Sequence, residues 1–176
     1  MANRSYLYSL DVYPNYMKPR AVGLSECEAR IPLIYRILAS ENPKATHSIL
    51  FDGRDDIAVT AYYAAGVEKL ASFFARLPEA YRKKCDAVLA FLRDEKNAQT
   101  LIHLECAEIF MMEDGDLEKQ NAALLSWLSP EYLEKDIDTV LYKIQNGDDS
   151  DLRELDEEYW TNALYYSPTS DGGGKK

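Results

Sequence analysis

The stretch LIHLECAEIFMMEDGD, Leu101 to Asp116, decides how this chain is assembled. Placed on a helical wheel at about 100° per residue, Glu105 and Glu108 fall on the side of Leu101 and Met112. His103, Cys106 and Phe110 fall roughly opposite, with Ala107 and Ile109 on the flanks. Apolar residues then occur all round, which predicts that Ala98 to Glu113 is the most central helix of a bundle. Two chemistries are conceivable inside it. His103 and Cys106 share a face, but two ligands are too few for zinc, which needs four groups or three plus water. Glu105 and Glu108, three residues apart, would project together, and a buried carboxylate pair raises one pKa toward general-acid use. That is an enzyme reading, metal-assisted if His103 joins. Against it, charged residues are rarely fully buried unless paired with Arg or Lys. The sequence contains no GxSxG, HExxH, P-loop or GxGxxG, so no catalytic residue, metal ligand or cofactor is assigned.

Outward from this stretch the pattern reads as helical. Val59 to Leu77 carries Val59, Tyr63, Gly66, Val67, Leu70, Phe73, Phe74 and Leu77 on one face. Glu79 to Lys96 follows, with Tyr81, Cys85, Val88, Leu89 and Leu92 inward. Asp116 caps Leu117 to Leu128, with Leu117, Leu124, Leu125 and Leu128 inward, and Ser129-Pro130-Glu131 opens a helix that buries Leu133, Ile137, Val140, Leu141 and Ile144 and stops at Gly147. A last helix is expected from about Asp151. On the N-terminal side, Ser5 to Leu10 and Thr46 to Phe51 read as short strands. Ser25 caps a short helical piece beginning CEAR, Pro32 opens a helix through LIYRILAS, and Asn42-Pro43 stops it. The expected fold is mainly α: a single domain over 1–166, with about six amphipathic helices and a minor N-terminal β element. Residues 167–176, SPTSDGGGKK, read as a disordered tail.

Composition narrows the function. A net charge of −10 over 176 residues disfavours nucleic acid and anionic membranes and attracts basic proteins. The 13 tyrosines suit half-buried positions and interfaces. Cys27, Cys85 and Cys106 lack CxxC spacing and form no disulfide framework. The N-terminus lacks the apolar core of a signal peptide, and no stretch reaches the length of a membrane span, so the expected location is cytoplasmic. His47 stands alone in a loop.

The strongest binding signal is GDDSDLRELDEEYW, Gly147 to Trp160. Asp149 and Asp151 complement a helix start. Glu154, Glu157 and Glu158 do not, and Trp160 follows them, so these six residues are the candidate partner-binding set: charge steers and the aromatic anchors. MMEDGDLE, Met111 to Glu118, is a second acidic corner.

MANRSYLYSLD, GLSECEARIPLIYRILAS, HSILFD and AYYAAGVEKLASFFARL together resemble a family of small uncharacterised bacterial proteins that open with a nearly identical segment. The resemblance rests on Gly23, Leu24, Ser25 and Glu26, on Ile31, Pro32, Leu33, Tyr35, Ile37 and Leu38, and on Tyr63, Gly66, Val67 and Leu70. The chain departs from the family pattern at Cys27, where an aromatic is expected after GLSE. The family has no established activity. Small acidic proteins of this kind are often immunity proteins, so the resemblance implies an inhibitor that occludes the basic cleft of a cognate toxin. A scaffold or oligomer subunit is the third reading.

Overall fold

The computed structural model describes residues 2–52, 54–167 and 174–175. Five strands form its centre: β1 Arg4–Leu10, β2 Ala21–Glu28, β3 Lys44–Thr46, β4 Ala58–Tyr62 and β5 Leu101–Glu105. They make one antiparallel sheet in the order β2-β1-β5-β4-β3. Around it lie α1 Leu33–Leu38, α2 Tyr63–Phe74, α3 Arg82–Arg93, α4 Ala107–Phe110, α5 Leu117–Trp127 and α6 Pro130–Gln145. The fold is therefore α+β, and the mainly α expectation is overturned by this sheet.

The error starts at LIHLE. Both edges of β5 are hydrogen-bonded, to β1 and to β4, and all five of its residues are buried. Apolar and polar residues alternate only over Ile102-His103-Leu104-Glu105, too few positions to stand out beside the apolar residues that follow. Over so short a run, periodicity alone does not separate a strand from a buried helix. Cys106 breaks the strand and α4 supplies only one short turn of helix. The same misreading swallowed β4, which runs into α2 without a loop: Tyr62 is extended and Tyr63 already helical. Ser25 to Glu28 belong to β2 rather than a capped helix, and the strand expected at Thr46–Phe51 is confined to Lys44–Thr46. The helix expected from Asp151 is two 3-10 turns, Ser150–Leu155 and Glu157–Tyr159. The tail expectation falls largely on 168–173 and 176, outside the described residues.

One sheet face, with Leu7, Val59, Ala61, Ile102 and Leu104, joins the helices in the main core. The other presents Tyr6, Tyr8, Leu10 and Leu101, covered by Leu164 and by Tyr13, Ile49, Leu50, Tyr165 and Tyr166. The inward faces read for α2, α3, α5 and α6 do pack on the main core. Asp116 caps α5 by accepting from the Glu118 and Lys119 amides, and Gly147 follows α6 at φ 82°, the left-handed stop that glycine takes without strain.

α2 crosses α1 at Gly66. A Cβ there would sit 2.2 Å from the Leu38 carbonyl oxygen. Alanine would gain about 1 kcal/mol in helix propensity. Overpacking costs about 1–3 kcal/mol or more, and a backbone carbonyl cannot swing aside as a side chain can. Gly66→Ala is therefore expected to lower the urea midpoint; an unchanged or raised midpoint would contradict this crossing.

Candidate functional site

The register places Tyr8, His103 and Thr60 side by side across three strands on the loop-covered face. A hydrogen-bonded row runs through them. Thr46 Oγ1 and Thr60 Oγ1 are 2.7 Å apart, Thr60 Oγ1 meets His103 Nδ1 at 2.8 Å, and His103 Nε2 meets Glu105 Oε1 at 2.8 Å. With Glu105 as a carboxylate, Nε2–H donates to it and Nδ1 accepts from Thr60. The Glu105 oxygens also accept from Ser48 Oγ at 2.9 and 3.0 Å and from the Ile49 amide at 2.7 Å. Ser48 Oγ in turn accepts from the Leu50 and Phe51 amides. Hydroxyl, imidazole and carboxylate in this order match the roles of nucleophile, base and orienting acid. Here, however, Thr60, His103 and Glu105 are all essentially sealed, which leaves an electrophile no approach. What the row does is fasten segment 48–51 to the sheet.

Glu105 and Glu108 are not the pair the helical wheel drew. Glu108, on α4, accepts from the Arg4 amide at 2.9 Å and the Tyr6 hydroxyl at 3.3 Å. His103 and Cys106 likewise part at the strand end. All three cysteines are free and buried. Burial pushes the Cys27 and Cys85 thiols up to about 11 and Cys106 well above its ordinary value, far from reactive thiolate. Among the described residues, no group of three or more His, Cys, Asp or Glu is arranged to hold a metal. His47 pairs with Asp55 at the surface.

The six residues of the C-terminal acidic run separate. Asp149, Glu157 and Glu158 are exposed, and Asp151 is half-buried against Lys143 at 2.9 Å. Glu154 is 0% exposed, its Oε1 paired with Arg30. Trp160 is 7% exposed, and its Nε1 donates to the Glu154 carbonyl at 2.6 Å. The chain around Trp160 runs along β2: the Thr161 amide donates to the Leu24 carbonyl and Asn162 Nδ2 to the Gly23 carbonyl. This segment shields the sheet edge from stray pairing. Glu154 and Trp160 are its internal fastening, not part of an exposed face.

Two exposed aromatic side chains, Trp127 and Tyr132, meet elsewhere. Ile31, Arg36 of α1, Ile109 of α4, Trp127 ending α5, and Tyr132 and Asp136 of α6 line an open groove of about 450 Å³. The two-residue link Leu128-Ser129 between α5 and α6 sets Trp127 and Tyr132 at the same corner. Leu124, Leu128, Leu133 and Ile137 take the inward positions, so the two rings are left 54% and 50% exposed. Tyr132 and Asp136, four apart, share a helix stripe, and Asp136 pairs with Arg36 on the groove wall. Just past Ile109, Met111 and Met112 are 51% and 53% exposed, and the exposed acids Glu113, Asp114, Asp116 and Glu118 follow. In sequence, neither Trp127 nor Tyr132 carries an assigned role. The signal for them was that both fall off the inward stripes of their helices.

The chain belongs to the family described as Domain of unknown function (DUF7822), whose model matches residues 11–147. The match begins past the MANRSYLY opening and shows an uncharacterised family, with no immunity class attached. No curated protein and no solved structure matches the chain. No helix among the described residues is long and apolar enough to cross a membrane.

Two buried carboxylates give measurable predictions. Glu105→Ala removes the acceptor for His103, Ser48 and the Ile49 amide. A loss of about 2–5 kcal/mol is expected on denaturant unfolding, with faster amide exchange over 48–51; wild-type stability would refute the fastening. Burial raises the Glu154 pKa, and its own backbone hydrogen bond and the Arg30 charge offset only part of this. A carboxyl with a raised folded pKa binds more protons folded than unfolded. Its contribution is therefore lost as pH rises from about 4 through the raised value. Glu154→Gln should gain stability relative to wild type as urea midpoints are compared from acid to neutral pH; a constant difference would contradict it.

Proposed function

We propose that this chain is a protein-binding inhibitor, an immunity-type antidote that occludes the basic cleft of a cognate toxin. The observation that carries the reading is the groove at the α5–α6 corner, where Trp127 and Tyr132 stand half in solvent. Aromatic rings cost hydration when exposed, and they dominate binding energy when a partner covers them. The net charge of −10 supplies the sign of the partner. A cleft that handles nucleic acid is basic, and an acidic inhibitor complements it and is steered to it. Asp149, Asp151, Glu157 and Glu158 remain at the surface and contribute to this field. Their reach to a partner is secondary to the groove, because the aromatic once assigned to that run, Trp160, is packed inside.

The test is affinity capture from the native host, eluted by salt and identified by mass spectrometry. Wild type is expected to retain one basic protein. Trp127→Ala with Tyr132→Ala should lose about 2 kcal/mol or more of that affinity, with folding intact because both rings lie outside the core. Capture of no specific partner, or equal capture by the double variant, would contradict the reading.

A further inference from the structure

We infer that the groove takes a basic, amphipathic segment of the partner, its apolar side chains between Trp127 and Tyr132 and its cations over the acidic corner Glu113–Glu118. This deepens the inhibitor reading and rests on it.

The groove walls contributed by Ile31, Ile109, Trp127 and Tyr132 are apolar, and the two charges on them, Arg36 and Asp136, neutralise one another. The groove itself therefore selects apolar side chains and no particular charge. Charge selection enters at its end. Met111 and Met112 follow the groove residue Ile109 by two and three positions and are exposed, and methionine's flexible thioether adapts to whatever side chain it meets. Glu113, Asp114, Asp116 and Glu118 come next, all exposed, with Lys119 the one cation among them. Among the described residues no basic side chain forms an ion pair with these acids; Asp116 uses one oxygen for the α5 cap. In the C-terminal run Asp151 is engaged by Lys143, Asp156 by Lys84 and Asp149 by the Tyr81 hydroxyl, which leaves Glu157 and Glu158 as its exposed acids not so engaged. The free negative charge next to exposed apolar surface is thus at the 113–118 corner. An amphipathic segment that reads an apolar groove and an acidic rim together is a basic one.

The probe is a leucine–lysine amphipathic peptide of about 14 residues, roughly four helical turns, titrated into the full chain. The two indole Nε1–H resonances are followed by NMR. The exposed Trp127 signal is expected to move and the buried Trp160 signal to stay. A leucine–glutamate peptide of the same pattern should leave both unmoved. Glu113→Lys with Asp114→Lys should weaken binding about tenfold or more, and Trp127→Ala should abolish saturable binding. Asp149→Lys with Glu157→Lys and Glu158→Lys should change it little. The inference is overturned if the acidic peptide binds as well, if Trp127 does not respond, or if reversal of the C-terminal run weakens binding as much as reversal of the corner. Such a result would leave the inhibitor reading standing wherever affinity capture still returns a basic partner dependent on Trp127. An empty capture with a bound peptide would instead fail the inhibitor reading alone.

Discussion

β5 is the constraint on which the rest of the molecule depends. It is paired on both edges and covered on both faces, so the helices must go to one side and something else must cover the other. Ile102 and Leu104 commit one face to α1, α2 and their neighbours. On the opposite face the chain has only loops and the C-terminal segment to offer, and a loop packed over a sheet brings backbone amides that need partners. Glu105 meets that need. One carboxylate accepts from Ser48, from the Ile49 amide and from His103, and His103 carries the connection to Thr60 and Thr46. A polar row that would suggest catalysis in an open cleft is, in this sealed position, what lets a loop stand in for a helix layer.

The same economy explains the C-terminus. The segment after α6 does not continue as a helix but turns back along β2. Glu154 and Trp160 are spent on holding it there, Glu154 through Arg30 and Trp160 through its indole N–H. With the sheet edge and the second face covered in this way, the large aromatics still half in solvent at a shared concavity are Trp127 and Tyr132. The groove is thus a consequence of how the inward stripes of α5 and α6 are assigned. Leucine and isoleucine fill the core, and the rings are left at the corner, on rigid elements rather than loops.

Amphipathic helices were legible in the sequence because one of their faces meets water. α2, α3, α5 and α6 bury the residues their periodicity indicated, and the Asp116 cap and the Gly147 stop are local signals that survive in the fold. What was not legible was the sheet. LIHLE and AVTAY are short, buried on both faces but for Tyr62, and joined to helices at Cys106 and Tyr63 without a punctuating glycine or proline. Ser25 looked like a cap because serine is a good one. In β2 its hydroxyl instead joins the Tyr35 hydroxyl and the Tyr159 carbonyl, partners far away in sequence. The acidic run was visible by composition, but whether a given acid points out depends on the turn it sits in, and Glu154 points in.

The measurement closest to the central claim is photo-crosslinking in the native host, with a photoreactive phenylalanine analogue installed at position 127. The account predicts a covalent adduct to one basic protein, absent when the analogue is placed at Tyr16, which is more exposed but does not line the groove. No adduct at 127, or the same adducts from both positions, would contradict the assignment of the α5–α6 corner as the surface through which this protein acts.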